Sequence, residues 1–305
     1  METYHFVPGN KLYFLDKIKE FLHKKEFNVI LDLEDAVSDF TNSVKNREIK
    51  SRARKEIIKY FKTNHPKGNY LLRINNPLTI FLSEDIKVAK ELYSLKNLKG
   101  LIVPKADLKS LEIIFNKIPF IKEIKIYPLI ETFKGLKELE KICSNFKIYG
   151  IIFGHHDYFY DKKVFPIPKS AITSEKYRGV MRRIYDLASK FNLEYIDGIY
   201  PLLNDYSGLK NNLNYLYSFG KAKVGKLSVH KNQIKEILNF VKSKGNTFLN
   251  NEDEEMSKNE KIQEAKRIVE IYKNRNRISG VTKSNENMYI SPQMYLISKQ
   301  YLKEN

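Results

Sequence analysis

The chain has 305 residues, 42% of them hydrophobic, which suffices for one large folded domain or two ordinary ones and excludes a disordered polymer. Its one cysteine, Cys143, excludes a disulfide framework and a cysteine-based zinc cluster, and suits a reducing compartment. The net charge of +18 invites a nucleic-acid reading, but lysines alternate with glutamates along 12–25 and 45–62 as on a solvated helix face, and no recognition motif accompanies them. A more modest use of the charge is attraction of an anionic substrate.

Short apolar runs with strand character cover 4–7, 28–33, 70–74, 100–103, 124–129, 150–153, 195–199 and 222–229. Between them lie stretches with apolar residues at helical spacing, among them 12–25, 45–62, 107–116, 133–144 and 177–191. Alternation of this kind predicts a parallel sheet, because parallel strands need crossover helices. Eight repeats fit a closed (β/α)8 barrel over 1–241; a doubly wound open sheet is the alternative, weakened by the absence of Gly-x-Gly-x-x-Gly after any run. Beyond the barrel, 242–261 is polar and reads as a linker, 261–272 as a helix, 275–287 as a loop and 292–302 as a final helix. This 242–305 extension is too small for its own core and is expected to pack on the barrel or on a neighbouring subunit, where it could act as a lid. No apolar run approaches the roughly 18 residues of a membrane span. Residues 1–10 lack the pattern of a signal peptide, so a cytoplasmic location is expected.

Four of the runs end in groups able to do chemistry, and strand ends in a parallel barrel converge on the active site. Glu131 and Asp157, after neighbouring runs, could hold a hard divalent ion such as Mg²⁺, leaving positions for water and substrate oxygens. The competing reading is that each caps a helix or pairs with a lysine. Asp32, Glu34 and Asp35 crowd the end of the second run. Alternation sends Asp32 and Leu33 to opposite faces, so one or two of these acids could orient metal-bound water, or Asp35 could cap the next helix. Arg73 lies within an apolar strand, where a charge is costly unless paired. Its planar fork suits a carboxylate or a developing enolate oxygen; a salt bridge to a neighbouring acid is the other reading. His155-His156-Asp157 has the composition of a two-His, one-carboxylate metal site. Adjacent strand side chains point to opposite faces, which argues against that site. His230 ends the eighth run as either a site residue or a core histidine. Nucleophilic catalysis has little support, with Cys143 in a helix-like stretch and no Gly-x-Ser-x-Gly.

The ordered motifs Phe6-Val-Pro-Gly-Asn10, Ile30-Leu-Asp-Leu-Glu-Asp-Ala-Val37, Arg73-Ile-Asn75, Val103-Pro-Lys105, Ile130-Glu-Thr132, Phe153-Gly154 with Asp157, Ile196-Asp-Gly198, and Gly225-Lys226 with His230 and Gln233 resemble the citrate lyase β-subunit-like branch of the HpcH/HpaI aldolase family over 4–240. The resemblance implies a (β/α)8 barrel, often trimeric or hexameric, whose C-terminal segment reaches over a neighbour. It implies Mg²⁺ held by Glu131 and Asp157 with the Asp32–Asp35 cluster nearby, and Arg73 on the substrate carbonyl or carboxylate. Such enzymes cleave or form a C–C bond between a 2-oxo acid and the enolate of an acyl-CoA, so the expected ligands are Mg²⁺ and a small oxo- or hydroxy-acid or its CoA thioester, with no nucleic acid or membrane partner. Relatives that use CoA thioesters often carry an aspartate acid/base in the tail; here Asn285 falls at that position, with Glu286 beside it. The usual proline after the last-strand histidine is Lys231. The arginine associated with CoA binding is absent, leaving Lys11 and Lys17 as candidate cations. A relative with altered chemistry, such as thioester hydrolysis, and a non-catalytic binding subunit are the alternatives.

Overall fold

A computed structural model describes residues 1–165, 175–220, 223–243, 256–274, 282–283 and 288–305. Eight parallel strands pair in chain order: β1 (Glu2–Pro8), β2 (Phe27–Asp32), β3 (Asn69–Arg73), β4 (Leu98–Val103), β5 (Lys125–Ile130), β6 (Gly150–Phe153), β7 (Glu194–Asp197) and β8 (Val224–Ser228). Pairing of Glu2–His5 with Gly225–Ser228 closes the sheet, which makes it a (β/α)8 barrel and excludes the open alternative. The strands read as continuous apolar runs because both faces are covered, one by the barrel interior and one by helices.

Alternation sorts the two faces. Tyr4, Ile30, Leu71, Ile102, Leu129, Ile152, Ile196 and Leu227 fill the interior, while Val29, Leu31, Tyr70, Leu72, Leu101 and Val103 pack outward against the helices. At the N-terminal end of the barrel, the Tyr4 hydroxyl lies 2.7 Å from Glu194 Oε2 and 3.1 Å from Glu2 Oε2. Burial, then the charge of Glu2, pushes the Glu194 carboxyl up to about 7. Outside β7 and β8, the Lys226 ammonium meets Asp197 at 2.5 Å, and Tyr177 and Tyr195 donate to the same carboxylate. The Asp197 and Lys226 side chains of the Ile196-Asp-Gly198 and Gly225-Lys226 motifs therefore tie β7, β8 and α7 together, while Gly198 lines the barrel mouth.

The helices are α1 (Phe14–Lys17), α2 (Ser43–Asn64), α3 (Leu82–Ser94), α4 (Leu108–Lys117), α5 (Phe133–Asn145), α6 (His155–Asp161), α7 (Glu175–Lys190), α8 (Tyr206–Tyr217) and α9 (Lys231–Ser243), followed in the tail by α10 (Lys258–Lys273) and α11 (Pro292–Glu304). The long helix expected over 12–25 is instead α1 and a 3₁₀ turn at Lys19–Phe21. Its buried residues, Leu12, Leu15, Ile18 and Phe21, recur every third position, and i→i+3 bonds of 2.9, 3.2 and 2.9 Å link them in turn. That is the 3₁₀ repeat, not the α repeat. The helix after the acidic cluster, α2, is capped by Asn42, which accepts from Lys45 N at 3.0 Å, so Asp35 is not its cap.

In the tail, Ser257 and Glu260 form a capping box that starts α10 at Lys258, inside the stretch read as linker. Part of the expected 275–287 loop is also ordered: β9 (Thr282–Lys283) pairs antiparallel with β10 (Tyr289–Ile290). Tyr272 of α10 stacks on Tyr295 of α11 at 4.4 Å, and Tyr301 of α11 meets Phe165 beyond α6 at 4.7 Å. Asn285, Glu286 and residues 244–255 lie outside the described residues. Among the described residues, no helix is long and apolar enough to cross a membrane.

Candidate active site

Two residues beyond three interior side chains stand three candidate site residues: Ile30 leads to Asp32, Leu71 to Arg73 and Leu129 to Glu131. The strand period of two therefore carries the core pattern into the barrel mouth, at the C-terminal ends of the strands. Asp32 and Arg73 are register partners on β2 and β3. Arg73 Nε and Nη2 donate to the two Asp32 carboxylate oxygens at 2.7 and 2.6 Å, and its Nη1 lies 3.1 Å from Glu34 and 3.8 Å from Asp35. Burial alone would raise the Asp32 carboxyl, but Arg73 and N–H bonds from Glu34 and Ala36 hold it below the usual range. The salt-bridge reading of Arg73 is thus realised in the geometry, while the guanidinium still lines the cavity.

The acidic loop after β2 is braced from behind. Lys50 of α2 is buried and donates to Leu33 O at 3.0 Å, Glu34 O at 2.8 Å and Ser38 Oγ at 2.8 Å. Burial pushes its ammonium down to about 8 against the pull of Glu34 and Asp32. One turn on, Arg54 pairs with Asp85 of α3 at 2.7 Å, and Asp85 accepts from Asn75 N and Nδ2 at 2.7 and 2.8 Å. This fixes the chain just after Arg73.

Lys105, after β4 and within the Val103-Pro-Lys105 motif, has no role assigned from the sequence and links the two halves of the site. Its backbone is left-handed, at φ 48°, which turns its N–H onto Glu131 Oε2 at 2.9 Å. Its ammonium lies 3.0 Å from Glu34 and 3.9 Å from Asp157. Burial disfavours that charge, but Glu34, Glu131 and Asp157 outweigh it and raise the ammonium well above its usual range. Glu131 and Asp157 are themselves forced together. Burial first and the Asp157 charge second drive the Glu131 carboxyl far up, and burial lifts Asp157 to about 8. Gly154 makes room for this: a Cβ there would lie 2.4 Å from Glu131 Cγ.

Asp32, Asp35, Arg73, Glu131 and Asp157 all face one cavity of about 320 Å³. Glu34 stands just behind, between Arg73 and Lys105. Apolar side chains complete the lining, with Phe6, Phe153, Leu203, Leu227 and Val229, and the Arg73 guanidinium lies 4.7 Å over the Phe6 ring. His155 and His156 also line it, contrary to the expectation that they diverge: they open α6 instead of ending a strand, and their rings sit 4.2 Å apart. His230 lines the cavity too. Lys11 is half-buried and Lys17 exposed; neither lines the cavity, although Lys17 lies 4.9 Å over the ring of Phe14, which does. Cys143 is buried in α5, with its thiol pushed up to about 12 by burial.

A model of the HpcH/HpaI aldolase/citrate lyase family matches residues 3–221. The chain belongs to this family. It is a family of lyases and aldolases, so the mouth of the barrel is a candidate active site on two independent grounds. No functionally curated protein matches the sequence. Among solved structures, RipC from Yersinia pestis is 22% identical with a TM-score of 0.56, covering 78% of this chain and 94% of its own. CitE from Mycobacterium tuberculosis, in complex with magnesium, acetoacetate and coenzyme A, is 18% identical with a TM-score of 0.60, covering 99% and 97%. Malate synthase from Haloferax volcanii, in a ternary complex with pyruvate and acetyl-CoA, is 12% identical with a TM-score of 0.73, covering 99% and 92%. At these identities the likeness is one of fold.

Proposed function

We propose that the protein is a Mg²⁺-dependent carbon–carbon lyase or aldolase acting on a small oxo- or hydroxy-acid, with a CoA thioester as one form of substrate. The observation that carries this reading is the pair Glu131, just after β5, and Asp157, in the first turn of α6, which line one cavity: burial raises both carboxyls, with the Asp157 charge adding to the shift of Glu131 and the charges of Asp35 and Glu34 to that of Asp157. Five carboxylates, Asp32, Glu34, Asp35, Glu131 and Asp157, gather there against Arg73 and Lys105, an excess of negative charge that a divalent cation would offset. Among the described residues no group of three or more His, Cys, Asp and Glu side chains is placed to hold a metal ion by itself. Mg²⁺ is usually held by one or two carboxylates and completed by water and substrate oxygens.

Glu131 and Asp157 would hold the ion, and once bound it would polarise the carbonyl of the oxo-acid. Arg73, clamped by Asp32, keeps a fixed positive charge at the cavity wall, where negative charge develops on an enolate oxygen. Because its fork is already engaged, it needs no reorganisation during the reaction. Lys105 balances Glu34 and Asp157 and aligns Glu131 through its backbone N–H. The apolar wall excludes water from the enolate. The complexes named for the Mycobacterium tuberculosis and Haloferax volcanii proteins support the choice of ligands. Lys11 and Lys17 are the proposed anchors for the CoA phosphates, near the cavity rim at Phe14.

The test is a thermal-shift titration with Mg²⁺, then pyruvate or oxaloacetate, then CoA, with Glu131→Gln as control. Ligands of the native state stabilise it by mass action, by about 2.7 kcal/mol at 100 times Kd, and so raise Tm. A Mg²⁺-dependent oxo-acid shift that vanishes in the variant is expected. An unchanged shift in Glu131→Gln removes that residue from the metal site.

A further inference from the structure

Gln233, in the first turn of α9, is buried, so both ends of its carboxamide need partners within the protein. Its Oε1 accepts from Val229 N at 3.2 Å, and its Nε2 donates to Tyr200 O at 2.7 Å. A backbone N–H can only donate and a carbonyl can only accept, so these two partners fix which way the amide points. One side chain thus bridges the segments that follow β7 and β8. The segment after β7 is also where the tail docks. Tyr289 N donates to Pro201 O at 2.8 Å, and Met288 pairs with Leu202 in an antiparallel bridge. Tyr200, next to Pro201, is held at its hydroxyl by Asp205 at 2.5 Å, and Asp205 caps α8 through Gly208 N at 2.9 Å. Residues 200–202 are therefore gripped by Gln233 and Asp205 and receive the tail at Pro201 and Leu202. The Tyr289–Pro201 bond runs between main chains, so the place of the tail strand follows the place of that segment.

We propose that Gln233 is a positioning residue for the substrate cavity: it latches the segment after β8 to the segment after β7 and so sets the platform from which the tail strand β10 brings Tyr289 to the site. Gln233 does not itself line the cavity, whereas Ile199, Leu203, Val229, His230 and Tyr289, on either side of the latch, all do. It acts on a ligand only through them. Glu131 and Asp157 stand on the far side of this arrangement, after β5 and in α6, and Glu131 takes its support from Lys105 N. Loosening the latch therefore moves the lining and the tail while leaving the acids where they are. The consequence for a bound oxo-acid rests on the Mg²⁺-site reading above; the latch itself rests on the hydrogen bonds alone.

The experiment is hydrogen exchange resolved to single amides, at times short enough that only local opening contributes. It compares the full chain with Gln233→Met, which keeps the side-chain length and loses both bonds, and with Gln233→Glu, each first shown to melt cooperatively. In Gln233→Met the Tyr289 amide should exchange about tenfold faster, the factor that a lost hydrogen bond and its unpaired partner supply, while amides of β2 and β3 stay protected. The carboxyl of Gln233→Glu can accept from Val229 N and donate to Tyr200 O only when protonated. At Tyr289 that variant should match the parent at pH 5 and the methionine variant at pH 9, each compared at the same pH. Calorimetric titration of Gln233→Met should give Mg²⁺ affinity within about twofold of the parent and, with Mg²⁺ saturating, pyruvate affinity about tenfold lower, the cost of a wall no longer preorganised. Unchanged exchange at Tyr289 in Gln233→Met, or a glutamate variant that behaves alike at both pH values, overturns the latch. Faster exchange with unchanged pyruvate affinity overturns the positioning role. If the unaltered protein binds neither Mg²⁺ nor pyruvate, the metal reading falls, and the exchange comparison still decides the latch.

Discussion

Gly154→Ala offers a sharp check on the geometry of the site. The added Cβ would sit 2.4 Å from Glu131 Cγ, 2.9 Å from its Oε1 and 3.1 Å from its Cδ. Carbon atoms in contact ordinarily stand about 3.5–4.0 Å apart, so the overlap exceeds an ångström. Glu131 cannot yield freely, because the Lys105 N–H holds its Oε2 at 2.9 Å. Overpacking of this kind costs about 1–3 kcal/mol. With an unfolding entropy of about 2.1 cal/mol/K per residue over 305 residues, a loss of about 2 kcal/mol lowers Tm by about 3 °C. Moving the carboxylate should also weaken Mg²⁺ binding by about tenfold or more, as does disturbing the support of a metal ligand. Scanning calorimetry and Mg²⁺ titration read the two effects separately. Gly179→Ala is the control: it lies within α7 with nothing inside 4 Å of the added methyl. There, alanine should raise stability by about 0.5–1 kcal/mol. If Gly154→Ala melts earlier but binds Mg²⁺ as well as the parent, Glu131 is not a ligand.

Arg73→Lys keeps the charge but can make only one of the two bonds to Asp32; turnover should fall at least tenfold while Mg²⁺ affinity changes little, and equal turnover would count against the enolate-stabilising role. Lys50→Met removes the Lys50 donor from Leu33 O and Ser38 Oγ and one of the two donors to Glu34 O, which keeps the Ser38 hydroxyl, so a loss of about 2–4 kcal/mol in urea melts and weaker Mg²⁺ binding are expected; full stability would show that the loop holds itself. Burial and Glu2 raise the Glu194 carboxyl from 4.5 to about 7, so its contribution to stability is fully present below pH 4.5 and is lost as pH rises through 7. Glu194→Gln should therefore become more stable than the parent by up to about 3 kcal/mol at pH 9, at 1.36 kcal/mol per pH unit, and differ little at pH 5. Parallel pH profiles for the two proteins would refute that assignment.

The strands and the acids at their ends were legible because period-two apolar runs in a parallel barrel lead directly into the mouth. Asp32, Arg73 and Glu131 could be picked out for that reason. The roles of Lys50 and Lys105 were not legible, although Lys105 stands in the Val103-Pro-Lys105 motif. Among 54 lysines and arginines, Lys50 within a basic helix and Lys105 after a proline look like solvated surface. Only tertiary structure shows one buried behind the acidic loop and the other turned inward by a left-handed backbone. The histidines were misjudged for a related reason, since a strand ending at Phe153 places His155 and His156 on a helical turn where neighbours need not diverge. Tyr289 was invisible because its place depends on a tail pairing with Pro201 and Leu202, far away in the chain.

Two kinds of support meet in the cavity. Asp32 and Arg73 stand on strands locked by sheet register, as do Phe6, Phe153 and Leu227, whereas Leu203, Val229 and Tyr289 come from connecting segments and the tail. The strand-borne lining is thus a fixed die, and the lining from loops and tail an interchangeable mould. Grafting the loops and tail of one relative onto the barrel of another should change what the cavity accepts while leaving the Asp32–Arg73 frame intact.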